Sequence, residues 1–362
     1  ITQELGPRTD LDIRRTLERQ IGAERWTQLD RQLVRDAGKT GVIDVAPEVG
    51  RQPDAYAVEK VGRLRKLAAL GLASEVGPGQ WMIDDQAEVT LRQLGERGDI
   101  IKRMHRALTE RGIDRGSGNY VLAGESLDVP VIGRLVERGL DDELKGTAYA
   151  VVDGVDGRTH HIRLPHLDAA GDSAPGSIVE LRTYEDARGE RRVALAVRSD
   201  LDLQHQVNAS GATWLDRQSI AREPVAMSEG GFGAEVRHAM RQRAEHLVHE
   251  GFAEQQGRRV IFSRNLIETL RRREVDAVAD WLAKETGQPF KAAGNGEYVA
   301  GTYRQRMTLA SGRFAMIDDG LGFQLVPWSP SLESQLGKHV SGVARGDGGV
   351  DWSFGRKRGL GL

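Results

Sequence analysis

The side chains of this chain that could do chemistry are, above all, cations at helical spacing. Lys60, Arg63 and Lys66 recur three residues apart in the stretch AYAVEKVGRLRKLAALG, and Arg237, Arg241 and Arg243 fall in a corresponding stretch further on. Lysines and arginines on one helix face neutralise phosphates and can read guanine edges in a major groove. Lys60, Arg63, Lys66, Arg237 and Arg241 are therefore candidate nucleic-acid contacts. Arg63 and Arg65 lie two residues apart and cannot share a face. The exposed row is expected to be Lys60, Arg63 and Lys66, with Leu64 and Leu67 turned inward. Glu235, Glu245 and Glu250 dilute the second row, which makes the first the stronger candidate. Arg271-Arg272-Arg273, flanked by Glu268 and Glu274, reads as a solvated helix face, with phosphate contact from Arg271 and Arg272 as the functional alternative. Arg304 and Arg306 belong to residues 301–362, which hold eight basic and five acidic side chains, a local net charge of +3. Phe314, Phe323, Trp328, Trp352 and Phe354 interleave with that charge; such rings are core by default, but beside arginine they can stack single-stranded bases. The ending Arg356-Lys357-Arg358, set between glycines, is a short basic tail suited to an acidic partner, with DNA phosphate as its rival and a frayed terminus as the plain reading.

Catalytic chemistry finds less support. The chain has no cysteine, which excludes disulfides, thiolate zinc sites, iron–sulfur clusters and thiol nucleophiles and is compatible with a reducing compartment. His160 and His161 are adjacent, so on a strand they point to opposite faces and cannot hold one ion together; His166 lies beyond Pro165. One of the two is expected to face out and the other to be half-buried. Tyr56, Tyr120, Tyr149, Tyr184, Tyr298 and Tyr303 have no recognisable base beside them. The glycine-rich pieces precede no Lys-Ser/Thr pair, and the run DDGLG lacks the further ligands of a calcium loop, so Asp318-Asp319 is expected to cap a hairpin turn. No catalytic residue, metal or cofactor is assigned, and an independent hydrolase has no nucleophile, base and orienting group to rest on.

The elements that must position the cations follow from periodicity and punctuation. With 362 residues and 39% hydrophobic content the chain exceeds a single core and should form two or more domains. Its formal net charge of −2 excludes a globally basic coat, so any nucleic-acid site is a local patch. No apolar run is long enough to span a membrane, and the opening ITQELGPRTD lacks the order of a signal peptide, which predicts a cytoplasmic protein without membrane insertion. Thr9-Asp10 can cap a helix through Ile13, Leu17 and Ile21. A second helix is predicted over Ala23–Val34, and a third over 58–70 on the stripe Val58, Val61, Leu64, Leu67, Leu70, closed by Gly71. A hairpin around Gly-Pro-Gly and a helix over Ala87–Thr109 come next. Helix, helix, helix, hairpin is the order of a winged helix. From Val129 onward five short strand-like runs, ending near Ser199, suggest a small antiparallel barrel.

The pattern then repeats. Trp26 with Leu29-Asp30-Arg31-Gln32 corresponds to Trp214 with Leu215-Asp216-Arg217-Gln218 at an offset of 186, and Arg63, Leu67, Gly71, Leu72 and Ala73 correspond to Arg243, Leu247, Gly251, Phe252 and Ala253 at 180. TAYAVVDGVDG is echoed by RFAMIDDGLG. The expected fold class is α+β, with tandem duplicated units, each a winged-helix-like helical domain followed by a small antiparallel β-barrel. The expected domains are 1–110, 120–200, 205–290 and 295–362.

The C-terminal stretch from YVAGTYRQRM to GRKRGLGL, together with GERGDIIKRMHRAL and YAVVDGVDGRTHHIRLPHLD, resembles relaxase/mobilisation nucleases of conjugative plasmids and integrative conjugative elements, in the region after their nuclease domain. The resemblance covers nearly the whole chain. It implies a protein that nicks DNA at an origin of transfer and accompanies the strand from the bacterial donor to the recipient through a type IV secretion system. Its nuclease domain, with a tyrosine nucleophile and a metal-binding histidine triad, would lie N-terminal to this region, so the segment itself is not expected to be an enzyme. The partners implied are origin DNA, single- or double-stranded, and relaxosome proteins or the secretion coupling protein. A protein-interaction module docking the relaxase on those partners, with little DNA affinity, is the alternative.

Overall fold

In a computed structural model, residues 10–38, 40–45, 56–123, 130–185, 188–346 and 348–354 are described. The chain divides into two compact units, 1–105 and 106–362; the last three of the four expected domains lie in the second unit.

In the first unit α1 (Asp10–Ile21) and α2 (Gln28–Ala37) precede β1 (Val42–Asp44), α3 (Ala57–Ala69), the hairpin β2 (Ala73–Gly77) and β3 (Gln80–Ile83), and α4 (Ala87–Thr109), in which the division between units falls. The start of α2 is fixed by a capping box. Thr27 Oγ1 accepts from the Asp30 amide, and the Asp30 carboxylate accepts from the Thr27 amide at 2.7 Å, an arrangement that contributes about 1 kcal/mol. The helix therefore begins after Trp26, later than the sequence pattern suggests. Leu33, Ile43, Leu64, Leu67, Leu72, Trp81 and Leu91 form the core of this unit. α3 ends where Gly71 takes a φ of 74° and the Leu72 amide reaches back to the Leu67 carbonyl. The three strands pair antiparallel in the order β1-β3-β2.

The second unit opens with β4 (Tyr120–Ala123), β5 (Val131–Asp142), β6 (Thr147–Gly154), β7 (Thr159–Leu164), β8 (Ile178–Glu185) and β9 (Arg191–Ser199), hydrogen-bonded in the order β4-β7-β6-β5-β8-β9. It continues through α5 (Leu203–Val207), α6 (Trp214–Ile220), α7 (Gly231–His249), the hairpin β10 (Ala253–Gln256) and β11 (Arg259–Phe262), and α8 (Leu266–Thr286). A second sheet follows, made of β12 (Tyr298–Leu309), β13 (Gly312–Asp318), β14 (Phe323–Pro327), β15 (His339–Ala344) and β16 (Val350–Trp352), in the order β14-β13-β12-β15-β16. It is faced on one side by Val275, Val278 and Leu282 of α8, which meet Met316, Phe323 and Leu325, while Ala315, Ile317 and Val326 serve a separate core on the other side. That alternation is what a strand covered on both faces requires.

The duplication is visible in the backbone. Five strands of each sheet share one order, β7-β6-β5-β8-β9 matching β14-β13-β12-β15-β16. The register of β5 on β6 shifts between Leu135 and Glu137, and that of β12 on β13 between Tyr303 and Gln305. The Leu135 amide bonds Ser177 and its carbonyl takes the Gly176 amide; Tyr303 does the same with Lys338 and Gly337. At Gly133 and Gly301 a side chain would collide with the carbonyls of Asp153 and Asp318, respectively, so the crossing of the first two strands demands glycine in both copies. Three expectations change. Neither sheet closes into a barrel among the described residues, because β4 and β9 end one and β14 and β16 the other. β4 is an additional strand, parallel to β7. Trp26 and Trp214 are not equivalent: Trp26 precedes the Thr27 cap, whereas Trp214 follows the Thr213 cap.

Candidate nucleic-acid interface

The helix face proposed from sequence is built around a residue that cannot reach solvent. Arg63 is 0% exposed and donates from Nε and Nη2 to the two carboxylate oxygens of Asp30 at 2.7 and 2.9 Å, and to the carbonyls of Ile21, Ala23 and Arg25. Asp30 in turn holds the Thr27 cap, so one ion pair ties α3 to the α1–α2 connection and to the first turn of α2. Arg243, 1% exposed, repeats every bond, to Asp216 at 2.9 and 2.9 Å and to the carbonyls of Val207, Ala209 and Gly211, while Asp216 caps Thr213. Gln20 and Gln206 complete the copies by accepting from the amides of Leu29 and Leu215. Arg63 is thus a structural residue and not part of an exposed row. The arginine must be buried because a planar five-donor fork alone satisfies a carboxylate and three converging carbonyls at once.

The remaining candidates sort by partner. Lys60 pairs with Asp36 at 2.6 Å and Lys66 with Glu24 at 3.0 Å. Arg237 bonds the Met227 carbonyl and Glu229, Arg304 bonds Asp318, and Arg306 bonds Asp172 and Glu333. These cations are already compensated, and a phosphate would have to displace a carboxylate to use them. On α8 Arg273 pairs with Glu250 and lies over Phe252, Arg271 lies over Phe314, and Arg272 is exposed with no ion pair. Arg241 is exposed with only His238 near it. Arg356, Lys357 and Arg358 lie outside the described residues.

On the exposed side of α3 stand Val58, at 82% exposure, Arg65 and Ala69, so Val58 is not part of the buried stripe, and the neighbouring hairpin adds Val76 and Met82. The second copy differs. Its hairpin turn carries exposed Arg258 and Arg259, and Arg264 is exposed just before α8, all without an ion pair among the described residues. With Arg241 on α7 and Arg272 on α8 they give the second copy a run of unpaired cations on consecutive elements, hairpin included; in the first copy Arg65 and Arg97 are likewise exposed without an ion pair among the described residues, but its hairpin carries no arginine or lysine. Sequence reading passed over Arg258, Arg259 and Arg264 because it weighed the helix alone; a basic pair at a hairpin tip, QQGRRV, was the available signal.

The histidines are both buried. His160 Nε2 lies 3.0 Å from Asp156, whose carboxyl burial would raise but whose bonds to His160 and Arg158 hold below the usual range; His161 stacks on Tyr149 with ring centroids 5.4 Å apart. The expected outward histidine is absent because β7 is covered on both faces. Asp318 and Asp319 accept from the amides of Gly320 and Leu321 and cap the β13–β14 turn. Phe314 and Phe323 are core, Trp352 stacks on Phe354, and Trp328 lies under Arg306 and Arg313. A further cluster has no warning in the sequence: Asp153, wholly buried, accepts from Arg115 and Arg134, and both guanidiniums also reach Glu235 of α7, joining the first sheet to the helix. No three His, Cys, Asp or Glu side chains gather to hold a metal among the described residues, and no helix among them is long and apolar enough to cross a membrane.

No curated protein and no solved structure matches the chain. The family described as "Protein of unknown function (DUF3363)" matches residues 60–187 and again 180–361, in keeping with the tandem construction seen in the backbone. The chain belongs to that family.

Proposed function

We propose that the chain is the nucleic-acid-binding and adaptor region of a conjugative relaxase, with each tandem copy combining a winged-helix-like part and a barrel-derived sheet, and with DNA held chiefly by the second copy. The observation that carries this reading is the set of exposed arginines without ion pairs on consecutive elements: Arg241 on α7, Arg258 and Arg259 at the hairpin, Arg264 before α8 and Arg272 on it. In a winged helix the helix enters a groove while the hairpin meets the backbone beside it. Five such cations would give a slope of log affinity against log salt of about −4 to −5 on duplex DNA. Fluorescence anisotropy of labelled duplex and single-stranded DNA against salt tests this; an absence of binding to both at low salt overturns it.

A second reading attaches to the first unit. Val58, Val76 and Met82 are 82%, 52% and 47% exposed on α3 and its hairpin, where Lys60 and Lys66 are already paired. This face suits a protein partner, a relaxosome component or the secretion coupling protein, better than phosphate. Val58→Asp with Met82→Asp should weaken binding to a purified coupling protein while leaving DNA affinity unchanged; equal binding by the double variant removes this reading.

A further inference from the structure

β9 is an open edge of the first sheet, hydrogen-bonded to β8 alone. The Leu135 amide bonds the Ser177 carbonyl, so along the register of β5 on β8 the peptide groups turned to β5 are those of Val179 and Leu181, and those turned to β9 belong to Glu180 and Arg182. Glu180 and Arg182 stand opposite Ala196 and Ala194. The amides and carbonyls of Leu195 and Val197 therefore point out of the sheet, and no hydrogen-bond partner meets them among the described residues. Proteins blunt such edges by shortness, charge or proline. The matching edge of the second sheet, β16, is three residues long, whereas β9 has nine and carries no proline.

A cleft of about 790 Å³ runs along this edge, a volume within the range of ligand pockets. Leu195 to Ser199 form one wall, and the β12–β13 turn from Leu309 to Arg313, with Trp328, forms the other. Most of its charges are settled. Arg306 and Arg313 share Asp172, Arg313 also binds Asp200, Arg306 also binds Glu333, and Arg198 binds Glu180. Two lining charges have no ion pair among the described residues, and they stand at opposite ends. Asp168 accepts through its carbonyl from Gly171, which lies against the Leu195 carbonyl; Arg217 donates to the carbonyl of Ser311, two residues before the Arg313 that holds Asp200 next to Ser199.

We infer that this cleft takes an extended peptide of a partner protein, added as a strand to β9, with a basic residue toward Asp168 and an acidic residue toward Arg217. Main-chain bonds to Leu195 and Val197 hold the strand, and Leu309 and Trp328 receive its apolar side chains, which alternate with polar ones. The two rim charges set its direction more than its affinity. From Leu195 to Ser199 the edge advances four residues, about 13 Å at a rise of about 3.3 Å each, so the peptide's two charges stand about four residues apart. The inference rests neither on the nucleic-acid reading nor on the apolar face of the first unit, whose residues lie outside the cleft.

The experiment selects short peptides from a random displayed library on the full chain and measures the recovered peptides by fluorescence anisotropy. The expected peptides alternate apolar and polar residues and bind saturably. Their binding should weaken at least tenfold on N-methylation of one alternate set of peptide amides, and equally in Val197→Pro, which removes an outward donor without touching the ladder to β8. Arg217→Glu should weaken the same peptides several-fold, and exchanging their acidic residue for lysine should restore binding. Recovery of no saturable peptide, or equal binding by both N-methylated sets, overturns the inference; so does full affinity in a Val197→Pro chain that melts like the parent. Concentration-dependent dimerisation abolished by Val197→Pro overturns it as well, because a second copy then occupies the edge.

Discussion

The buried Arg243–Asp216 pair invites the most exacting perturbation, Arg243→Met. The substitution keeps the aliphatic volume but removes five donated bonds, two to Asp216 and three to the carbonyls of Val207, Ala209 and Gly211. Asp216 keeps only the Thr213 amide and hydroxyl as donors. Its carboxylate then stands buried without a counter-charge, which costs about 3 to 5 kcal/mol, and part of the loss of three carbonyl partners adds to that. For the second unit, about 4 kcal/mol corresponds to a fall in Tm of roughly 8 to 16 °C. Calorimetry on the whole chain should show this fall in one transition while the transition of the first unit stays in place. The companion Asp216→Leu, and the double variant, supply the decisive comparison. With both partners apolar the uncompensated charge is gone, so the double variant should be more stable than Arg243→Met alone by about 1 to 3 kcal/mol. If Arg243→Met costs under about 1 kcal/mol, or if the two changes simply add, the pair does not organise the fold as described.

Other outcomes follow from the same geometry. Arg63→Met should lower the transition of the first unit instead, by a similar amount, in the same calorimetric scan. Gly301→Ala places a methyl against the Asp318 carbonyl at a φ of 158° and should cost about 1 to 3 kcal/mol, read from the urea midpoint; an unchanged midpoint contradicts the close strand crossing. Burial alone would raise the Asp172 carboxyl, but Arg313 and Arg306 hold it below the usual carboxylate range. Because its folded value is depressed, its stabilisation is fully present above about pH 4 and is lost as pH falls through the lowered folded value; Asp172→Asn should flatten urea midpoints across that interval. Arg304 is itself exposed but its partner Asp318 is buried, with the Gly320 amide as a further donor, so Arg304→Gln should cost about 1 to 2 kcal/mol in the same assay.

Much of the architecture was legible because it lies in local periodicity and punctuation. The helix stop at Gly71 and again at Gly251, the hairpins that follow, and the repeated LDRQ with a downstream arginine were all readable, and together they announced the duplication. The closing of the sheets was not readable, since strand-like runs of similar length suit open and closed sheets alike and only pairing partners decide. The candidate site was misjudged at Arg63 for a definite reason. A repeated arginine at helical spacing looks like a phosphate row, yet its counterpart Asp30 stands 33 residues earlier, and the repetition of that aspartate as Asp216 was the overlooked sign of a structural pair. Lys60, Lys66, Arg304 and Arg306 failed as free cations because long-range carboxylates claim them. Arg258, Arg259 and Arg264 escaped notice because their usefulness depends on having no such partner, and only the folded chain shows that.

The most direct test of the account compares two charge-reversed chains for duplex DNA affinity across a range of salt. In one, Arg241, Arg258 and Arg259 become glutamate; in the other, Lys60, Arg65 and Lys66 do. The first should lose affinity by well over tenfold at low salt and flatten the salt slope by about 3, while the second changes little, because two of its three cations are already paired. Equal affinities for the first variant and the parent chain, or a larger loss in the second, would contradict the assignment of DNA to the second copy.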